Sequence, residues 1–169
     1  FDANGSVLKI ADGSGMAKVD PEDPSTWTIS STAWADDWQG FSADNSADNT
    51  WAIIDLGAPT IGLDQMYLWN VQEGNALDRG TSSFDIYYAT LPTETIPVQS
   101  GAVTPYSFGG GGWTQLSTGN SLAQGIQFGD PGEVFDISGA SGARYIGLHL
   151  TANHGGFRTG LAEVAITNE

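Results

Sequence analysis

Hydrophobic and polar residues alternate over short segments of this chain, and glycine, proline, asparagine and aspartate cluster between the segments. No long window keeps the apolar i, i+3, i+4 spacing of an amphipathic helix. In one segment, Phe84, Ile86 and Tyr88 fall on the same face of an extended chain. The pattern predicts an all-β protein whose fold class is an antiparallel β-sandwich. The predicted strands are residues 51–57, 65–69, 84–89, 113–116, 132–137, 144–150 and 161–166.

Three connections between these strands are too long for hairpin turns: residues 28–49, 70–83 and 152–160. Long loops on a rigid sandwich are where binding residues concentrate. The chain shows neither an internal repeat nor an inter-domain linker, so residues 1–169 are predicted to form a single domain. Functional side chains are therefore expected in the three loops.

Charge and cysteine content narrow the classes of partner. The chain has 20 acidic residues against five lysines and arginines, a formal charge of −15. Nucleic acid is excluded as a partner because a protein that binds it needs a broad basic surface. An anionic membrane is disfavoured for the same reason. Cysteine is absent, which excludes thiolate metal sites and a cysteine nucleophile.

An enzymatic function finds little support. Asp36 and Asp37 lie in an aromatic-rich loop, and two carboxylates are the minimum for glycoside hydrolysis. Consecutive residues seldom face each other across a substrate, however. A nucleophile elbow of the Gly-x-Ser-x-Gly kind is also missing. We therefore predict that the chain is not an enzyme.

Five motifs occur in an order that resembles a known family. The family is the discoidin domain, or coagulation factor V/VIII type C domain, of the galactose-binding-like superfamily. The resemblance covers about residues 16–167 and implies a jelly-roll sandwich. The motifs are Asp23-Pro-Ser-Thr-Trp27, Trp51-Ala-Ile-Ile-Asp-Leu-Gly57, Arg79-Gly-Thr-Ser-Ser-Phe-Asp-Ile-Tyr-Tyr88, Ala143-Arg-Tyr-Ile146 and Gly160-Leu-Ala-Glu-Val-Ala-Ile166.

The resemblance also implies a structural calcium ion. In similar bacterial modules the early acidic turn and the glutamate of the last motif chelate calcium, which here makes Asp20, Asp23, Thr26 and Glu163 the expected ligands. Carboxylate and hydroxyl oxygens suit this hard cation. The turn departs from the family pattern because Pro21 stands where a glycine usually follows the first aspartate. The alternative is an acidic turn that simply faces water.

Residues in the three long loops also suggest a sugar-binding site. Sugar recognition needs an aromatic ring for the apolar face of a pyranose, and fixed donors and acceptors for its hydroxyl groups. Trp34 and Trp38 could equally fold the first loop onto the sandwich, Arg79 and Arg158 could form surface ion pairs, and the glycines after His154 could mark a turn. The candidate ligand-binding residues are Trp34, Trp38, Asn70, Arg79, Asn153, His154, Phe157 and Arg158.

Other conspicuous side chains receive structural roles. Four tryptophans are predicted to lie in the core or at strand edges, and Arg144 is expected to pair with a carboxylate. The four are Trp27, Trp51, Trp69 and Trp113.

These observations predict a non-catalytic carbohydrate-binding module. Its expected partner is a polysaccharide or oligosaccharide, either a marine or plant-type polymer or a terminal galactose-like sugar. The expected location is secreted or at the surface of a bacterium, as part of a larger multidomain protein. The alternative is an adhesion module that binds another protein. Membrane binding ranks third, because Asp36 and Asp37 between Trp34 and Trp38 would repel anionic headgroups.

Overall fold

A computed structural model describes residues 7–40, 50–96 and 106–169 of the chain. The regular structure of these ranges consists of β-strands and short 3-10 helices. The strands are β1 Met16–Lys18, β2 Trp27–Ile29, β3 Trp38–Gly40, β4 Thr50–Thr60, β5 Leu63–Asn70, β6 Thr81–Ala89, β7 Thr114–Ser121, β8 Glu133–Asp136, β9 Ala143–Asn153 and β10 Thr159–Asn168. The 3-10 helices are Val7–Ala11, Pro24–Thr26, Trp34–Asp36, Leu77–Arg79 and Ser138–Ala140.

Two four-stranded sheets form the sandwich. One has the strand order β3-β10-β5-β8 and the other β4-β9-β6-β7, while β1 and β2 form a separate hairpin. All strand pairs within these sheets are antiparallel. The predicted antiparallel sandwich is confirmed, and each predicted strand overlaps one of β4 to β10. The three-residue strands β1, β2 and β3 were not predicted, and residues 41–49 of the first predicted loop lie outside the described residues.

The main core lies between the two sheets and follows from the alternation seen in the sequence. Phe84 and Ile86 of β6 are buried, as predicted from their shared face, and β9 contributes three buried residues in the same way. Phe84 packs edge-on against Phe135 of β8, with ring centroids 4.9 Å apart. The fully buried β9 residues are Ile146, Leu148 and Leu150.

Two smaller clusters cover the outer faces of the sheets. On the first sheet, the hairpin β1–β2 lays Trp27 over Trp69, with ring centroids 5.9 Å apart. On the second sheet, Phe108 stacks on Tyr87 at 4.8 Å and occupies space that Gly147 leaves open. The predicted structural roles of Trp27, Trp69 and Trp113 are confirmed, because all three are buried.

The ends of several strands meet at one edge of the sandwich, here called the loop end. β5 ends there at Asn70, β6 begins at Thr81, and the residue pair Thr159–Gly40 joins the start of β10 to the end of β3. The buried amide of Asn70 donates to the carbonyl oxygens of Thr81 and Ala123, both at 2.7 Å. Two of the three predicted long loops, residues 70–83 and 152–160, therefore start from a fixed frame.

Candidate functional site

Arg79 is a cation at the loop end whose guanidinium group is held by two neighbouring side chains. It is the last residue of the 3-10 helix Leu77–Arg79. Its Nη1 donates to Oε2 of Glu73 at 2.9 Å and to Oε1 of Gln39 at 3.1 Å. The amide of Gln39 in turn donates to the same Glu73 oxygen at 2.7 Å. Gln39 and Glu73 therefore hold the guanidinium group of Arg79 in one orientation through its Nη1 atom.

Phe157 presents an aromatic ring beside this guanidinium. The ring is half-exposed (48%), and the Cζ atom of Arg79 lies 4.4 Å from its centroid. Arg158 also approaches the ring, with its Cζ at 5.3 Å. Burial lowers the pKa of Arg158, and the positive charge of Arg79 lowers it further, while Glu73 opposes this. The site thus combines an accessible ring, two cations and one carboxylate within a small area.

The loop that carries Phe157 is docked against the turn that carries Arg79. The backbone N–H of Gly156 donates to the carbonyl oxygen of Asp78 at 2.9 Å, and that of His154 donates to Gly80 at 3.1 Å. A Cβ atom added at Gly156 would lie 2.8 Å from the backbone nitrogen of Arg79. Glycine is therefore required for this close approach, and the two loops form one unit.

Asp37 supports the site from beneath. Its carboxylate is buried, and Oδ2 accepts hydrogen bonds from the backbone N–H groups of Gln72 and Glu73 at 3.0 and 2.9 Å. Burial raises the pKa of Asp37 to about 7 despite these two hydrogen bonds, and the charges of Glu73 and Asp36 also raise it. Asp37 fixes the backbone of Glu73, and Glu73 fixes Arg79.

Two predicted sugar ligands are corrected by their burial. Trp38 is only 3% exposed and packs into the main core, so its ring offers no face to a sugar. Asn70 is also 3% exposed, and its amide group is occupied by backbone partners. The sequence could not separate these residues from Trp34, which is 39% exposed in the 3-10 helix Trp34–Asp36. Trp34 remains a prediction for ligand contact.

The side chains of Asn153 and His154 form hydrogen bonds within the protein. The Asn153 amide donates to the carbonyl oxygens of Gly156 and Arg158 at 2.9 and 2.8 Å, which closes the turn. Nε2 of His154 lies 3.1 Å from the carbonyl oxygen of Leu122, a hydrogen-bond distance. Both residues therefore position Phe157 and Arg158. Their direct contact with a sugar remains a prediction.

Several oxygen atoms of the predicted calcium turn accept hydrogen bonds from other groups of the same turn. Oδ1 of Asp23 accepts hydrogen bonds from the backbone N–H and the hydroxyl group of Ser25 at 3.0 and 2.6 Å, as an N-cap does. The Thr26 hydroxyl donates to the carbonyl oxygen of Asp23 at 2.8 Å, and the Trp27 indole donates to that of Asp20 at 2.7 Å. These contacts fold the turn, and the role of Asp20, Asp23 and Thr26 as calcium ligands stays a prediction.

Glu163 makes its hydrogen bond outside that turn. Its buried carboxylate accepts from the backbone N–H of Gly13 at 2.9 Å. Burial raises the pKa of Glu163 to about 8, the hydrogen bond from Gly13 and the charge of Lys18 oppose the rise, and the charge of Asp12 adds to it. The neighbouring Ser14 has a buried hydroxyl oxygen, and its backbone N–H donates to Oδ1 of Asp12 at 2.8 Å.

Oxygen atoms around residues 12–14 and Glu163 are of the chemical kind that the calcium ion implied by the family resemblance would need. They are the buried hydroxyl oxygen of Ser14 and the carboxylates of Asp12 and Glu163. Across the described ranges, clusters of three or more histidine, cysteine or acidic side chains suited to a metal are absent. Backbone carbonyls and water would have to complete such a site.

Gln39 and Glu73 were missed as site residues by the sequence analysis. Gln39 acts on Arg79 from β3, 40 positions earlier in the chain, and Glu73 acts from six positions earlier in the same loop; hydrophobic alternation reveals neither contact. The loop between β7 and β8 was also missed. It carries two exposed apolar side chains in the segment Gly125-Ile-Gln-Phe-Gly129, and that glycine-flanked pattern is a signal that could have found it.

Comparison with solved structures gives the fold an independent test. A SusE-like protein is 17% identical over 77% of this chain and 50% of its own, with a TM-score of 0.52. The chitosan-binding module 1 of a chitosanase/glucanase from Paenibacillus sp. IK-5 is 15% identical over 95% of this chain and 98% of its own (TM-score 0.49). The CBM32 of AlyQ, solved with 4,5-unsaturated mannuronic acid, is 18% identical over 96% of this chain and 85% of its own (TM-score 0.47).

These likenesses concern the fold alone. This chain spans about half the length of the SusE-like protein. No family model matches the sequence, and no curated protein does either. The predicted antiparallel β-sandwich is confirmed as the architecture. No helix in the described part of the chain has the length and hydrophobicity needed to cross a bilayer.

Proposed function

We propose that this protein is a non-catalytic carbohydrate-binding module whose ligand lies at the loop end, against Phe157 and Arg79. The observation that carries the proposal is the half-exposed ring of Phe157 beside a guanidinium fixed by Gln39 and Glu73. The ring supplies a face for a pyranose. The guanidinium supplies directed N–H donors for hydroxyl or carboxylate oxygens.

Pre-organisation supports this proposal. The hydrogen bonds that hold Arg79 and the docked loops exist before any ligand arrives, so little conformational entropy is lost when a sugar binds. The two carboxylates considered for hydrolysis have other partners. Asp37 holds the backbone of residues 72 and 73, and Asp36 accepts a hydrogen bond from the hydroxyl group of Ser31 at 2.5 Å. A binding role therefore suits the site better than glycoside cleavage does.

A glycan array with matched arginine variants tests the proposal. Arg79→Ala is expected to reduce binding to the recognised glycan by at least about tenfold, equivalent to about 1.4 kcal/mol. Arg144→Ala is the control, because Arg144 pairs with Asp55 at 2.8 Å and is partly exposed on β9. Equal binding by both variants would remove Arg79 from the site. An array without any bound glycan would favour the adhesion alternative.

We also propose a structural calcium ion held by Glu163, with Asp12 and Ser14 supplying further oxygen atoms. The ion would neutralise a buried carboxylate and tie residues 12–14 to β10. Calcium is expected to raise the melting temperature of the wild type over that in chelator, since a ligand at 100 times its Kd stabilises by about 2.7 kcal/mol.

Two carboxylate variants locate the ion. Glu163→Gln is expected to abolish the calcium-dependent shift in melting temperature, whereas Asp23→Asn keeps it. Loss of the shift in Asp23→Asn with retention in Glu163→Gln would return the ion to the acidic turn. A wild type that melts at the same temperature in calcium and in chelator would contradict the ion itself. The extracellular location and the place in a larger protein remain predictions.

A further inference from the structure

The loop between β7 and β8 exposes two large apolar side chains at its tip. Ile126 is 69% exposed and Phe128 is 66% exposed. Burial in this fold does not explain either residue, because neither belongs to a hydrophobic cluster of the described chain. Single exposed apolar residues are ordinary on protein surfaces. Two large ones at the tip of the same loop form a small apolar patch, and such patches often mark binding sites.

The residue between them has an unusual backbone. Gln127 adopts φ = +69°, and among the described residues no other non-glycine residue has a positive φ. Such a conformation is strained for an L-residue and persists only when its surroundings enforce it. Here the side-chain amide of Gln127 donates to the carbonyl oxygen of Gly74 at 3.0 Å. This hydrogen bond anchors the residue between Ile126 and Phe128 to the segment between β5 and β6.

The base of the same loop is fixed by a carboxylate. Oδ2 of Asp130 accepts hydrogen bonds from the backbone N–H of Ile126 at 3.1 Å and from the amide of buried Gln72 at 2.9 Å. Oδ1 accepts from the backbone N–H of Gly132 at 3.0 Å. The tip is thus presented by a pre-organised loop.

This loop is continuous with the proposed sugar site. Gly74, which receives the Gln127 amide, follows Glu73, and Glu73 holds Arg79. The backbone N–H of Gly74 donates to the carbonyl oxygen of Thr32 at 3.3 Å, two residues before Trp34. The loops of Phe128 and Phe157 are therefore both hydrogen-bonded to the segment between β5 and β6, the first at Gly74 and the second at Asp78 and Gly80.

We infer that Ile126 and Phe128 form a second apolar subsite, which contacts a further unit of a sugar chain whose first unit lies against Phe157 and Arg79. The inference rests on the proposed function and deepens it, because the recognised ligand becomes an oligosaccharide and not a single sugar. The carboxylate of Asp130 lies at the base of this loop, and the chain carries a charge of −15. That charge disfavours an anionic lipid surface as the occupant.

Affinity for oligomers of increasing length tests the subsite. Isothermal titration of the full chain would use mannuronic acid, chitosan and galactose oligomers of one to six units, which cover anionic, cationic and neutral sugars. The wild type is expected to bind oligomers of two or more units at least about fivefold more tightly than the matching monosaccharide. Phe128→Ala and Ile126→Ala are each expected to remove most of that gain and leave monosaccharide affinity unchanged.

Ile61→Ala is the matched control. Ile61 is 82% exposed in the turn before β5, at the opposite end of that strand from Asn70, so its loss should leave the length dependence intact. Gln127→Gly is expected to keep Ile126 and Phe128 exposed but to reduce the gain with length, because the amide clamp on Gly74 is lost. Circular dichroism spectra would show that all four variants fold.

Each remaining outcome overturns the inference. Equal affinity for one unit and several, or Phe128→Ala behaving as Ile61→Ala does, would remove the subsite while the proposed function stands. A wild type that binds none of the sugars would remove both. Co-flotation with phosphatidylcholine or phosphatidylserine vesicles that Phe128→Ala abolishes would assign the tip to a membrane instead.

Discussion

Two aromatic regions of this protein are built in opposite ways. On the outer face of the sheet β4-β9-β6-β7 the rings contact one another: Phe108 stacks on Tyr87, and the Trp113 indole donates to the Tyr106 hydroxyl group at 2.8 Å. At the loop end, Phe157 and Phe128 remain 48% and 66% exposed, and the partners of Phe157 are guanidinium groups. The first region, here called the aromatic layer, is a small core, and the second is an open surface.

The backbone beneath the rings accounts for the difference. In the aromatic layer, Gly147 lets the ring of Phe108 approach β9 closely, so the segment carrying Phe108 covers the sheet. At the loop end, hydrogen bonds among polar groups fix the backbone, and the rings are left outside. Aromatic content by itself therefore does not distinguish a core from a binding surface. The two regions are distinguished by the groups that fix the backbone beneath the rings.

The largest effect is expected from removing the central ring of the aromatic layer. Phe108→Ala should lower the free energy of unfolding by about 3–5 kcal/mol, because it opens a cavity between Tyr87, Tyr106 and Trp113. Urea unfolding followed by tryptophan fluorescence measures this change. Sugar affinity of the folded fraction should stay at the wild-type value. A loss below about 1 kcal/mol would show that the layer is a surface and not a core.

A smaller effect is expected from the carboxylate that supports the loop end. The pKa of Asp37 is about 7 in the folded protein and about 3.9 in an unfolded chain. The folded state therefore binds the extra proton, so stability falls as pH rises from about 4 to about 7 and levels off above. Asp37→Asn keeps an acceptor for the backbone of residues 72 and 73 without the charge. It should raise stability at pH 8 by about 1–3 kcal/mol.

Urea unfolding of wild type and Asp37→Asn between pH 4 and pH 8 measures this prediction. Glu163 is unchanged in the variant, so the difference between the two pH profiles isolates Asp37. Parallel profiles would mean that Asp37 keeps an ordinary pKa in the folded protein. Asp37→Ala is the control for the hydrogen bonds, and it should weaken sugar binding because Glu73 loses its fixed backbone.

The smallest effect on stability is expected at the exposed ring. Phe157→Ala should change the free energy of unfolding by no more than about 0.5 kcal/mol, since half of the ring already faces water. Sugar affinity should nevertheless fall by about tenfold. Urea unfolding and isothermal titration on the same sample separate the two quantities. A change in stability as large as that of Phe108→Ala would erase the contrast between the regions.

The sequence predicts the sandwich well and the site only in outline. Alternation in β6 and β9 predicts the buried faces because neighbours along a strand determine which side chains point inward. Trp34 and Trp38 stand four residues apart in the same loop, yet one is half-exposed and the other is in the core. What separates them is the pairing of β3 with β10, a contact that joins residues 38–40 to residues 159–161.

The site depends on the same kind of distant contact. Arg79 and Phe157 were predicted from their residue types and loops, but Gln39 and Glu73, which orient Arg79, were not. Gln39 reaches Arg79 only when β3 and the loop after β5 lie together. Glu73 lies six residues before Arg79 in that loop, and no hydrophobic pattern distinguishes it from the other polar residues there. Glu163 was predicted as a calcium ligand from the family resemblance, whereas its neighbours Gly13 and Asp12 follow from the folded chain.

The backbone contact at Gly156 has a consequence for how such a protein could acquire new ligands. Because residue 156 lies directly on the backbone of Arg79, an insertion in either loop would push the other out of place. Insertions or deletions in these two loops, a common evolutionary route to new specificity, are therefore expected to disrupt this site. Exchange of side chains at positions 157, 158, 126 and 128 leaves the contact intact. Laboratory selection for altered sugar preference is expected to succeed at those four positions.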